Sequence, residues 1–138
     1  MNEMEILNQT TNKTPKFSFD TKTYNAKVVH VVDGDTINVT FIPFGDPVKI
    51  SVRLEGIDTC EIHSKNEEEK KYGLQAKEKL LELVLDKIVT LKCGKFDKYG
   101  RLLGRIFLDG IDICEVMKQT TYTTEYHGGA KLPYDQRT

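Results

Sequence analysis

The sequence has almost no net charge, no long apolar run, no internal repeat and too few cysteines for a disulfide framework. Lys and Arg number 20 against 21 Asp and Glu, a net charge of −1. A charge so near zero gives no global pull on a polyanion, so nucleic-acid binding would have to come from a local patch. Cys60, Cys93 and Cys114 are odd in number and share no paired spacing, which reads as reduced thiols in an intracellular protein. The first residues are Met, Asn, Glu, Thr and Lys without an apolar stretch, so no secretory signal is expected. Nothing approaches the apolar length of a membrane span, and a soluble chain with no membrane association follows. At 138 residues, one domain with a single core is the expectation.

Residues 1–22 are polar and predict a flexible tail ahead of one domain over 23–138, with Phe17 and Phe19 as candidates to dock on it. Residues 26–32 are β-branched and apolar, and 36–42 alternate Ile37, Val39 and Phe41 with polar neighbours. Asp33-Gly34 between them suits a tight turn through its tolerance of positive φ. A turn at 43–47 leads to a third strand, 48–55, with Val48, Ile50, Val52 and Leu54 on one face. A polar segment, 62–72, carries Glu67, Glu68 and Glu69. Residues 73–86 then place Leu74, Leu81, Val84 and Leu85 at helical spacing. Strands at 88–93 and 101–108 follow, and 111–119 predicts a short helix. This order predicts an α+β, mainly β fold: a five-stranded OB-fold barrel with a helix between strands three and four and a short C-terminal helix.

The charged residues gather at the turns. Asp35 opens a strand after a tight turn, and Asp58 and Thr59 follow another, so two carboxylates and a backbone carbonyl could face one hard cation. Arg53 near a strand end and Arg101 at a strand start could clamp the oxygens of a phosphate. Glu61, three residues after Asp58, could take a proton from water or orient it. An EF-hand is excluded because Ile37 stands where that loop needs a third oxygen donor. Zinc held by Cys60, His63 and another cysteine lacks four ligands at recognised spacing. Cys60 as a nucleophile lacks a histidine placed to activate it.

The motifs together resemble the staphylococcal nuclease family. The resemblance covers about 24–131 and rests on Val32-Asp33-Gly34-Asp35-Thr36, on Arg53-Leu54 leading into Ile57-Asp58-Thr59-Cys60-Glu61, on Tyr72-Gly73, and on Asp97-Lys98-Tyr99-Gly100-Arg101. It implies that Asp35 and Asp58 ligate Ca²⁺ by side chain and Thr59 by its carbonyl, with Asp33 just outside. It implies that Glu61 activates water and that Arg53 and Arg101 bind the scissile phosphate, Arg101 also assisting the leaving group. Lys98 and Tyr99 would contact a terminal phosphate, and Tyr126 would pack near a base. The implied activity is hydrolysis of DNA and RNA, single-stranded or open, with little sequence preference and 3′-phosphate products. No obligate protein partner is implied.

The chain departs from the family pattern in two informative places. Cys60 replaces a proline before Glu61, removing a φ restraint and placing an oxidisable thiol there. Glu67-Glu68-Glu69 replaces a lysine-rich stretch, so weaker and more salt-sensitive substrate affinity is expected. The rival expectation is a catalytically silent OB-fold that only binds single-stranded nucleic acid or a protein partner. Silent relatives typically lose the carboxylates and arginines that this chain keeps.

Overall fold

A computed structural model describes residues 1–120 and 123–124. Its centre is a closed five-stranded β-barrel of β1 (Thr23–Asp33), β2 (Thr36–Phe41), β3 (Val48–Leu54), β5 (Ile88–Phe96) and β6 (Leu102–Leu108). Neighbours pair antiparallel in the order β3-β2-β1-β5-β6, and a parallel β3–β6 seam, Val52 beside Leu102, closes the ring. The OB-type expectation holds in this connectivity.

Alternation builds the core. Ile37, Val39 and Phe41, then Val52 and Leu54, then Val89, Leu91 and Cys93 recur every second residue and point inward, all buried. Strand β1 runs Ala26, Val28, Val31 because its register against β2 shifts between Val28 and His30, and the extra residue turns Val31 back to the core. Along β3, Val52 and Leu54 enter the core, whereas Val48 is exposed and Ile50 half-buried, so only half the face expected there is internal.

The helix after the third strand, α2 (Glu67–Val84), begins six residues before the expected start. Asn66 caps it, accepting the N–H groups of Glu68 and Glu69 at 3.0 and 3.1 Å. Glu67, Glu68 and Glu69 therefore form its first turn, where negative charge complements the helix dipole. Its buried face is Gly73, Ala76, Leu80 and Val84, not Leu74 and Leu81, which are exposed. Burying Leu80 removes it fully from water, an effect of about 2–3 kcal/mol. The helix ends at Leu85, and Asp86, with φ of 63°, donates its N–H to the Val28 carbonyl at 2.8 Å.

Beyond the barrel, β7 (Ile111–Asp112) leads into α3 (Ile113–Lys118), capped by Asp112 and burying Ile113, Cys114 and Met117. A short pair joins β4 (Asp58–Thr59) to β8 (Thr123–Thr124). The 1–22 segment divides in two. Helix α1 (Glu3–Asn8) buries none of its residues, while Phe19 sits in the core cluster. Thr21 donates to the Cys93 carbonyl at 3.0 Å and Cys93 to the Lys22 carbonyl at 2.8 Å, so 19–22 joins the barrel. All three cysteines are free thiols and buried. Among the described residues no helix is long and apolar enough to cross a membrane.

Candidate active site

The β1–β2 turn is fixed by its own side chains. Asp33 Oδ1 accepts the N–H of Asp35 at 3.0 Å, and Asp33 pairs with Thr36 across the hairpin, leaving Gly34 and Asp35 at its tip. Gly34 is not there for positive φ, contrary to the sequence expectation. A Cβ at that position would stand 2.6 Å from Ala76 Cβ and 2.8 Å from Thr59 Cγ2. Glycine lets the turn press onto α2 and β4 at once.

That close approach brings Asp35 to the next carboxylate. Asp35 Oδ2 accepts the backbone N–H and the hydroxyl of Thr59, each at 3.1 Å, and Oδ1 accepts the Thr36 hydroxyl at 3.1 Å. Arg53, opposite Thr36 in the β2–β3 register, places Nη2 3.4 Å from Asp35 Oδ2 and 3.4 Å from Asp58 Oδ1. Its Nη1 donates to the Leu54 carbonyl at 2.9 Å. Arg53 is 5% exposed, Asp35 3% and Asp58 1%. Buried ions persist only when paired and hydrogen-bonded, and here one guanidinium nitrogen serves both carboxylates. Four predicted residues, Asp35, Arg53, Asp58 and Thr59, thus converge from three segments.

Glu61 lies just outside this cluster in sequence and is exposed, while Cys60 before it is buried. Gly73 sits inside α2, not at its start, and explains how the helix meets this loop. A Cβ there would stand 2.5 Å from the Cys60 carbonyl oxygen and 3.0 Å from the Glu61 carbonyl carbon. The helix backbone therefore braces the peptide that a proline ring would otherwise restrain. Ser64 continues the brace: its N–H reaches the Glu61 carbonyl at 3.3 Å, and its hydroxyl reaches Glu69 at 2.8 Å.

Arg101 comes from the β5–β6 turn. Asp97 organises that turn, accepting the N–H groups of Tyr99 at 2.8 Å and Arg101 at 3.0 Å, and the Arg101 Nε at 2.8 Å. Burial opposes ionisation of Asp97, but these two N–H groups and the guanidinium together hold its carboxyl below the usual range. Arg53 points away from the core between Val52 and Leu54. The β3–β6 register sets Leu103 beside it, and Arg101, two residues earlier, lies in the turn that leads into β6. Tyr99 is exposed and its ring lies 5.4 Å from the Arg101 guanidinium carbon and 5.2 Å from Lys98 Nζ. Tyr126 lies outside the described residues.

Among the described residues there is no group of three or more His, Cys, Asp or Glu placed to hold a metal ion. The two carboxylates, with the Thr36 and Thr59 hydroxyls beside Asp35, are oxygen groups of the kind that suits a hard cation such as Ca²⁺. Sequence reasoning missed the bracing glycines and the helix cap. Asn66 followed by three glutamates was the legible signal for the cap.

Comparison with known proteins bears on this arrangement. The family profile described as staphylococcal nuclease homologue matches residues 51–135. The chain is 38% identical over 104 residues to an uncharacterized protein of Bacillus anthracis, covering 73% of this chain and 47% of that one. It is 34% identical over 115 residues to endonuclease YncB of Bacillus subtilis, covering 80% and 53% respectively. It is 32% identical over 94 residues to an uncharacterized endonuclease of Escherichia coli, covering 67% and 55%. The chain spans about half the length of these curated relatives.

Proposed function

The chain belongs to the staphylococcal nuclease family, and from that premise we propose that it is a calcium-dependent phosphodiesterase cleaving single-stranded or open DNA and RNA. On this reading it has little sequence preference and leaves 3′-phosphate ends. The observation that carries the proposal is the convergence of Asp35, Asp58 and Arg53 in one buried cluster beside Thr59. Carboxylates and a guanidinium at these burials are costly to fold around, and a scaffold keeps such a group where charge chemistry is needed.

In the mechanism, Asp35, Asp58 and the Thr59 carbonyl would hold Ca²⁺. When bound, the ion supplies Lewis-acid stabilisation of charge on phosphoryl oxygens. The protein's own residues do the rest. Glu61, at the surface and braced by α2, takes the proton of the attacking water. Arg53, on β3, and Arg101, in the turn before β6, present guanidinium groups to the phosphate oxygens as negative charge builds on them. Arg101 stands nearer solvent, in a position to assist the departing oxygen. Lys98 and Tyr99, on the same hairpin, contact a neighbouring phosphate.

Heat-denatured DNA incubated with the protein in Ca²⁺ is expected to be degraded, and excess chelator to stop it. End-labelling of the fragments tests for 3′-phosphates. Retained binding without cleavage in Ca²⁺ would replace this reading with that of a binding module.

A further inference from the structure

The turn that carries Arg101 starts at Phe96, and Phe96 is one edge of an aromatic patch that the chemistry above does not use. Phe19 is its buried hub, 6% exposed, with ring centroids 4.8 Å from Phe17, 6.1 Å from Phe44 and 6.0 Å from Phe96. The hub belongs to the buried core cluster. The three rings around it leave most or much of their surface in water: Phe17 is 66% exposed, Phe44 70% and Phe96 45%. Phe17 and Phe44 also touch, at 5.8 Å. Contiguous exposed aromatic surface of this kind marks a contact site more often than a structural need.

We propose that Phe17, Phe44 and Phe96 form a stacking platform for the bases of an unpaired nucleic-acid strand that continues beyond the scissile phosphate past Tyr99. The inference rests on the reading of nucleic acid as substrate. Two observations select this occupant. First, the patch adjoins the turn of the site, because Phe96 ends β5 and is followed directly by Asp97, Lys98, Tyr99, Gly100 and Arg101. Second, the charge beside the rings suits a polyanion. Lys16 precedes Phe17, while Lys95 and Lys98 flank Phe96. Asp97 is already paired with Arg101, which leaves Asp46, near Phe44, and Asp20 as the opposing acids. Rings interleaved with lysines are the surface that tracks a single strand, each base resting on a π-face while the backbone follows the positive charge. A face built for a second copy of the chain would exclude the lysines from among its rings.

The test is fluorescence anisotropy with fluorescein-labelled oligothymidylates of about 3 and about 12 nucleotides, in chelator so that nothing is cleaved. Wild type is expected to bind the longer probe more tightly. Phe17→Ala and Phe44→Ala are each expected to weaken the longer probe about 5- to 100-fold, and the pair to erase its advantage over the shorter one. Phe44→Tyr, which keeps the ring, is expected to retain affinity. These side chains are mostly in water, so folding survives the changes. Unchanged affinity in the alanine variants, a loss in Phe44→Tyr as large as in Phe44→Ala, or no binding of the longer probe by wild type overturns the platform. So does a dimer that dissociates in the double variant with oligonucleotide affinity intact, since a second copy then owns the face. Ring-dependent binding without cleavage in Ca²⁺ would sink the nuclease reading and leave the platform standing. Cleavage with ring-independent binding would do the reverse.

Discussion

Thr59 gives both its backbone N–H and its hydroxyl to one oxygen of the Asp35 carboxylate, each at 3.1 Å. This double donation ties β4 to the β1–β2 turn and sets where Asp35 stands. Thr59→Val keeps the shape and the N–H but deletes the hydroxyl. A hydrogen bond to a charged acceptor contributes about 1.5–3 kcal/mol, so the variant is expected to lose that much stability in urea unfolding. An unchanged midpoint would show that the hydroxyl contributes nothing.

Arg53 neutralises two buried carboxylates at once. Arg53→Met leaves Asp35 and Asp58 facing each other without it, at an expected cost of about 3–5 kcal/mol in chelator. Saturating Ca²⁺ is expected to restore part of that loss, because an ion bound only by the folded state stabilises it. If calcium restores nothing, the two aspartates do not form its site.

Glu61 is exposed, so its replacement separates chemistry from folding. Glu61→Ser is expected to lower turnover by about 10²- to 10⁴-fold, the usual range for losing a general base. Thermal unfolding should move little, since surface changes stay within about 0.5 kcal/mol. Full activity in the variant would remove Glu61 from the mechanism.

Gly73→Ala puts a methyl group against the Cys60 carbonyl, 2.5 Å away. Alanine favours a helix more than glycine does, so propensity alone argues for a gain of about 1 kcal/mol. The backbone clash outweighs it: a net loss of about 1–3 kcal/mol is expected, with slower cleavage as the Glu61 loop is displaced. A more stable variant would refute the packing argument.

Burial pushes the Cys114 thiol up from 9.0 to about 11, with the Asp112 carboxylate adding to the shift. Folding thus favours the protonated thiol. The stability this provides is complete below pH 9.0 and is lost as pH rises towards about 11, by about 2–3 kcal/mol in all. Urea midpoints across that window should fall in wild type and fall less steeply in Cys114→Ala.

Much of the architecture was legible in the residues. Ile37, Val39 and Phe41 declared a strand by alternation, and the strands expected at 88–93 and 101–108 are β5 and β6. The partners of Asp35 were legible only as types, because what joins Asp35 to Thr59 is a close approach permitted by Gly34, and proximity of that kind has no local signature. The start of α2 was hidden by chemistry that points two ways. Glu67-Glu68-Glu69 reads as a solvated loop in isolation and as a favourable first turn once Asn66 is recognised as a cap. Within that helix Leu74 and Leu81 have the right spacing for a core stripe, yet Gly73, Ala76, Leu80 and Val84 take the inner face. Gly73 meets the Cys60 loop and Ala76 meets Gly34, close contacts that call for small residues, and Leu80 and Val84 continue that face into the core.

The seam between β3 and β6 pairs Val52 with Leu102, residues separated by the whole of α2 and β5. Arg53 follows Val52 and Arg101 precedes Leu102, so the segments that carry them come together only when the ring shuts. A growing polypeptide still short of residue 102 cannot close the barrel. Any chemistry that needs both segments therefore waits until the ring has closed.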